Sequence, residues 1–350
     1  MINIRPGRSN KIGMPFAPLL RNVVRAKCLS RLLRLSMIAS MYLLCNETQA
    51  QVCSVSSSGI VFPNYSPIAS AAVSSVGIVT VTCTWPQITP LVNALVCINL
   101  TAASPRNLLN GNNKLAYDLW TDPAHATQWG STTAGTTPLS VMLTKPAGIT
   151  ASATLPFYGQ VPGNQTTVPT ANNAATPYSV TYTSQASALA GFYILKALPP
   201  TCVSLAVSAG VFPLTATDTV INNCTIVATG LTFQTGANGL LHQDLTAQGF
   251  LTVICTANDA YTIALSPGAS VNQTARTMTA ALGSDTVKYQ LYTDEALSLV
   301  WGDGTSGTVT SAGIGTGMPQ TLAVFGKVPA QSPTPAPSIY SDIVIATVYF

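Results

Sequence analysis

Beyond residue 50, apolar side chains recur at every second position in several segments. Residues 78–84 read Ile-Val-Thr-Val-Thr-Cys-Thr, residues 250–255 Phe-Leu-Thr-Val-Ile-Cys, and residues 261–265 Tyr-Thr-Ile-Ala-Leu. A period of two sends alternate side chains to opposite faces of an extended chain, so these segments predict half-buried strands. Gly and Pro punctuate the intervals, as in Gly302-Asp303-Gly304 and along residues 332–337. No stretch after residue 50 carries the 3.6-residue period of an amphipathic helix. The pattern predicts an all-β chain.

The pattern also repeats, at an offset near 171 residues. Tyr117-Asp-Leu-Trp-Thr-Asp122 matches Tyr289-Gln-Leu-Tyr-Thr-Asp294, Trp129-Gly130 matches Trp301-Gly302, and Tyr158-Gly-Gln-Val-Pro162 matches Phe325-Gly-Lys-Val-Pro329. Arg106 and Arg276 fall in register as well, and are expected to brace the two copies. Many coincidences in one order mean duplication. With 350 residues available, a leader and two sandwich modules of about 100 to 170 residues fit the length.

Charge needs correcting for the leader. Eight of the fifteen Lys and Arg residues precede residue 50, and without the first fifty residues seven basic face ten acidic side chains, a net of −3. That balance leaves no nucleic-acid footprint. The basic stretch runs into an apolar segment, residues 32–44, and then a short polar one ending at Ala50. This is the layout of a secretory signal with a cut after Ala50, and the apolar run is shorter than the roughly 20 residues that span a bilayer. Only Gln51 and Val52 would then precede Cys53.

Cys28 and Cys45 leave with such a leader, and six cysteines remain without a Cys-x-x-Cys pair, which favours disulfides over metal. The repeat selects the pairing: Cys53–Cys83 at a separation of 30 matches Cys224–Cys255 at 31. Cys97–Cys202 follows by elimination. Each short loop is worth about 3 to 4 kcal/mol.

In the second copy the residues become specific: Cys224-Thr-Ile-Val-Ala-Thr-Gly-Leu-Thr-Phe233, Arg276-Thr-Met278, the Tyr289 segment, Trp301-Gly-Asp-Gly304, Phe325-Gly-Lys-Val-Pro329, and Tyr340-Ser-Asp342 through Tyr349-Phe350. This closely resembles the spore coat protein U domain, the pilin module of archaic (Csu-type) chaperone-usher pili. The first copy resembles it more loosely: Phe62-Pro-Asn-Tyr65 fits, but Trp-Gly-Asp-Gly has become Trp129-Gly-Ser-Thr132. The resemblance implies two tandem immunoglobulin-like β-sandwich domains of pilin type, the C-terminal one lacking its last strand. It further implies a tip adhesin, exported through the periplasm to the cell surface and serving attachment and biofilm formation. The implied partners are a periplasmic pilus chaperone, an outer-membrane usher, the N-terminal donor strand of the next subunit, and an abiotic or host surface.

The expected division is a signal peptide at 1–50, a self-complete adhesin domain at 51–205 and a pilin domain at 206–350, with a linker at roughly 206–221. The alternating residues Ile343, Ile345, Thr347 and Tyr349 give the expected acceptor edge. The first module is expected to close itself with the chain after Tyr178-Ser-Val-Thr-Tyr182, through Phe192-Tyr-Ile-Leu195 to Cys202. A chain that accepts a strand without a segment to donate belongs at a fibre end.

Family tips are implied to adhere through apolar loops of the first module. Matching positions are Trp85, Ile88, Pro90 and Leu91, then Pro146 and Ile149, then Leu189 and Phe192. The second module offers only Thr256-Ala-Asn-Asp-Ala260 at the first of these places. About 300 Å² of exposed apolar surface would be worth roughly 7 kcal/mol when covered. The competing readings are a non-adhesive minor pilin or coat protein, and a receptor- or carbohydrate-binding tip. Enzyme chemistry has little to work with: His125 and His242 lie in no catalytic motif, Asp294, Glu295 and Asp303 read as turn residues, and no metal or other cofactor is expected.

Overall fold

The central ladder pairs two strands of twelve residues. In the computed structural model, which describes residues 50–235 and 241–350, Val73–Thr84 runs antiparallel to Thr150–Val161, from Val73↔Val161 to Thr84↔Thr150. Val79, Val81 and Cys83 point inward, while Val76 and Ile78 face solvent. Gly77 takes an inward position for want of room, since a Cβ there would lie 2.1 Å from the Phe157 ring.

In chain order the first module comprises β1 (Val52–Ser57), β2 (Ile60–Val61), β3 (Val73–Thr84), β4 (Asn93–Leu100), β5 (Arg106–Asn110), β6 (Asn113–Trp120), β7 (Leu139–Thr144), β8 (Thr150–Val161), β9 (Thr176–Tyr182), β10 (Ala186–Tyr193), β11 (Ser208–Val211) and β12 (Leu214–Val220). One sheet has the order β1-β3-β8-β6-β5-β9-β12-β2, the other β11-β10-β4-β7. The chain therefore changes sheets between β9 and β10, and again between β11 and β12. Strand β4 is buried along both faces from Ala94 to Leu100. Its outer face is covered by residues 194–205, which Cys97–Cys202 ties down, and by Thr132, whose N–H donates to Asn99 Oδ1 (2.9 Å).

The second module comprises β13 (Cys224–Ala228), β14 (Leu245–Cys255), β15 (Ala260–Leu265), β16 (Thr277–Ala280), β17 (Thr286–Lys288), β18 (Gln290–Tyr292), β19 (Ser311–Ile314), β20 (Gln320–Val328), β21 (Tyr340–Ser341) and β22 (Ala346–Tyr349). The order β13-β14-β20-β18 repeats β1-β3-β8-β6, β19-β15-β22 repeats β7-β4-β10, and β17-β16-β21 repeats β6-β5-β9. Each module has its own apolar core. The fold is thus a tandem of immunoglobulin-like sandwiches, and all three expected disulfides are formed.

The expected boundary at 205/206 is wrong. Residues 206–221 are no linker, because β11 and β12 belong to the first sandwich and Phe212, Leu214, Ala216 and Val220 sit in its core. Nor does the chain from Phe192 to Cys202 close the module: Phe192 lies in β10 against β4, and the residues after it form the outer cover. The closing strand is β12, antiparallel to β9 and parallel to β2. Only residues 221–223 connect the modules. The expected leader, residues 1–50, lies outside the described residues up to 49.

The junction is hydrogen-bonded. The Asn173 side chain meets both the N–H and the C=O of Ala260, Asn223 Nδ2 donates to Ser66 Oγ (3.0 Å), and the Thr170 hydroxyl donates to the buried Asp259 carboxyl.

Candidate functional site: an open groove and a cluster of loops

The two copies have the same internal fittings. Trp129 Nε1 donates to Ile98 O (2.9 Å) and Trp301 Nε1 to Ile263 O (3.0 Å). The carbonyls of these tryptophans accept from Arg106 (2.7 Å) and Arg276 (2.8 Å). Both arginines are buried braces, as expected, but their other partners differ: Arg106 pairs with Asp118, Arg276 with the neutral Gln290. Trp120, the remaining repeat tryptophan of the first copy, is half-buried beside His125, with ring centroids 4.6 Å apart.

Glycines fix the correspondence around the groove. A Cβ on Gly159 would meet Ile60 at 2.5 Å and Phe62 at 2.7 Å; on Gly326 it would meet Phe233 at 2.8 Å and Leu231 at 2.9 Å. The segment 228–233 therefore stands where β2 stands. Tyr117 bonds Tyr182 of β9 (2.8 Å), while Tyr289 donates to Asp342 just past β21 (2.6 Å), so β21 stands where β9 stands. Burial and the Asp342 charge beside it hold the Tyr289 phenol above its usual range.

Between β9 and β2 the first module seats β12. Between their counterparts in the second module there is, among the described residues, a cavity of about 920 Å³, lined by Leu231, Phe233, Leu251, Tyr289, Val328 and Val344 among others. Strand β22 pairs with β15 along one edge, and no described strand occupies the other. Of the edge residues named from alternation, Ile343 borders the groove while 83% exposed, and Ile345, Thr347 and Tyr349 are exposed and do not line it. Those of opposite parity, Val344, Ala346 and Val348, pack against the core. Alternation locates the strand, and only packing decides its parity.

At the other end of the first module the predicted loops converge. The loop 85–92 joins β3 to β4, and 145–149 joins β7 to β8. The pairs Thr84↔Thr150, Asn93↔Thr144 and Asn93↔Tyr193 put both beside the end of β10. Trp85 N–H donates to Ile149 O (2.8 Å) and Lys145 N–H to Val92 O (2.7 Å). Ile88 is 90% exposed, Pro90 and Pro146 are exposed, and Leu91 and Ile149 are half-buried.

Three of the predicted contact residues belong elsewhere. Trp85 is 0% exposed and packs edge-on against Phe192 at 5.9 Å, so it anchors the loop from beneath and cannot meet a surface. Half-buried Phe192 is its partner within β10, and Leu189 is mid-strand opposite Cys97. The third apolar loop is instead the stretch after β10, with Ile194, Leu195 and Leu198 exposed, the last at 93%. Its apolar run and the following Pro199-Pro200 were visible in the sequence. The run resembles a strand, but the sheet ends at Tyr193.

These features define a class: a two-module sandwich protein, one module closed by its own last strand and the other holding a strand-sized groove. The chain belongs to the Spore Coat Protein U domain family, whose pattern matches residues 39–183 and again 211–347. It is 35% identical to Protein U of Myxococcus xanthus over 119 residues, which is 32% of this chain and 65% of that protein's length. Among solved structures it is similar to a chain of the CsuC–CsuE chaperone–tip adhesion subunit pre-assembly complex from the archaic chaperone-usher Csu pili of Acinetobacter baumannii. The TM-score is 0.44 at 14% identity, over 85% of this chain and 100% of that one. A second is the CupB6 tip adhesin of Pseudomonas aeruginosa, with a TM-score of 0.34 at 10% identity, over 85% and 94%.

Proposed function

We propose that the protein is the tip adhesin of a secreted chaperone-usher pilus, its second module accepting a strand from a neighbour and its first attaching to surfaces. The reading rests on one contrast: β12 fills a place in the first module whose counterpart in the second is a cavity of about 920 Å³. An apolar groove beside a free strand edge is completed by strand addition. A periplasmic chaperone would fill it first, and the donor strand of the next subunit would replace it at the outer-membrane usher. The first module, already closed, is free to serve another purpose, and its loop end lies at the opposite end of the strands from the junction. Exposed Ile88 on the loop 85–92, with Leu195 and Leu198 on the stretch after β10, suits water-excluding contact with an apolar abiotic or host surface.

The test is adsorption of the purified chain to hydrophobic and hydrophilic beads, beside a variant carrying I88S, L195S and L198S. Loss of hydrophobic adsorption with unchanged thermal stability is expected. Equal adsorption by both proteins would reject adhesion through these loops and leave the chain a non-adhesive pilin.

A further inference from the structure

Strand β12 closes the first module with four inward side chains: Leu214, Ala216, Asp218 and Val220. Three are apolar. Asp218 is 2% exposed, and neither of its carboxyl oxygens has a hydrogen-bond partner. A charge at such a site is strongly disfavoured unless it is paired, and Asp218 takes part in neither ion pair among the described residues.

Among the described residues the surroundings supply no cation that is not already paired. Strand β9 places Tyr178 directly opposite, with its hydroxyl donating to Pro169 O (2.6 Å). The segment after β2 brings Tyr65, whose hydroxyl donates to Pro162 O (2.9 Å) and accepts from Gln165 N–H (3.1 Å). Both phenols stay neutral, held above their usual range by burial. On β5 and β6, Arg106 and Asp118 engage each other. Burial pushes the Asp218 carboxyl up to about 7.

The backbone on both sides is well held. Phe62 N–H donates to Thr217 O and Tyr65 N–H to Thr219 O, both at 2.9 Å, and all of β12 is paired with β9. Within these firm ladders, Asp218 is the one inward side chain of β12 whose burial opposes closure when charged.

We propose that Asp218 makes β12 an acid-reinforced closing strand, seated while the carboxyl is protonated and loosened when it ionises. Freed from the fold, the acid loses its proton near 3.8; seated, it keeps the proton to about 7. The folded state therefore holds a proton that the open state lacks between those values. Closure is tightest below the lower one and weakens as pH rises through the upper one.

Hydrogen exchange on the full chain reads this directly, with protection of β12 amides taken relative to β3 amides at each pH to remove the intrinsic rate change. From pH 5.5 to pH 8, relative protection should fall more than tenfold, and D218N should flatten the dependence. A constant ratio in the natural protein, or a dependence that survives in D218N, would overturn the proposal. A dependence that vanishes instead in D259N, which alters the buried acid at the junction, would overturn it too. If D218N does not fold, the side-chain carboxyl of Asp218 can be titrated by carbon NMR in the natural protein. A midpoint near 7 supports the switch, and one near 4 rejects it.

Discussion

Asn173 of the first module bonds Ala260 of the second twice: its Oδ1 accepts from the Ala260 N–H at 2.9 Å and its Nδ2 donates to the Ala260 carbonyl at 3.0 Å. One side chain thus imitates a neighbouring strand at the start of β15. Asn173 has φ near 53°, a left-handed conformation that asparagine tolerates better than most residues. N173G keeps the conformation and removes both bonds, so it should cost about 1 to 3 kcal/mol at the junction. Solution scattering should then show a broadened distribution of intramolecular distances; an unchanged profile would mean the linker alone sets the geometry.

Trp85 gives a sharper test of the loop cluster than any exposed residue. W85A removes a fully buried indole packed on Phe192, which should cost about 3 to 5 kcal/mol in denaturant unfolding. W85F should recover part of that. A loss below about 1 kcal/mol would contradict the anchoring role.

The pair Cys97–Cys202 closes a loop of 105 residues. Replacing both by Ala should destabilise the first module by about 4 to 5 kcal/mol in the chain-entropy account. The cover over β4 should also lift, exposing residues 194–201 to proteases. Cleavage elsewhere first would show that the cover is held by packing alone.

Arg106 and Arg276 invite a transplant. D118A leaves the Arg106 cation buried without its partner and should cost about 3 to 5 kcal/mol. D118Q reproduces the arrangement of the second module, where Gln290 Oε1 accepts from Arg276 at 2.6 Å, and should cost less than half as much. Equal costs, measured by urea denaturation, would mean the amide cannot stand in for the carboxylate.

The groove can be offered the chain's own solution. A copy of residues 208–220, joined by a flexible linker after Phe350, should seat beside β22 and β21 as β11 and β12 do beside β10 and β9. The expected result is a higher midpoint for unfolding of the second module. A control copy with Leu214 and Ala216 replaced by Asp should have no such effect.

The duplication, the strand character and two of the disulfides were legible because each rests on a local period or a repeated spacing, and the third, Cys97–Cys202, because only those two cysteines were left. The domain boundary was not. Residues 214–220 read Leu-Thr-Ala-Thr-Asp-Thr-Val, and an aspartate on the inward side makes a closing strand look like a polar connector. The misplacement of Trp85 has a different cause: an aromatic at the end of a strand can face out or in, and the residue that decides, Phe192, lies far along the chain. The parity of residues 343–349 was hidden for a similar reason. Ile343, Ile345 and Tyr349 are larger than Val344, Ala346 and Val348, yet the smaller set faces the core.

Two of the chain's crossings from sheet to sheet in the first module, β9 to β10 and β11 to β12, have a mechanical consequence. Under the proposed attachment, tension entering at the loops and leaving through residues 221–223 would run along the strands and load the β9–β12 ladder in shear. Bonds loaded this way must break together, whereas bonds pulled across the strands open one after another. Each crossing chain also belongs to both sheets, so neither sheet can slide off the other without unravelling the strands that carry the pull.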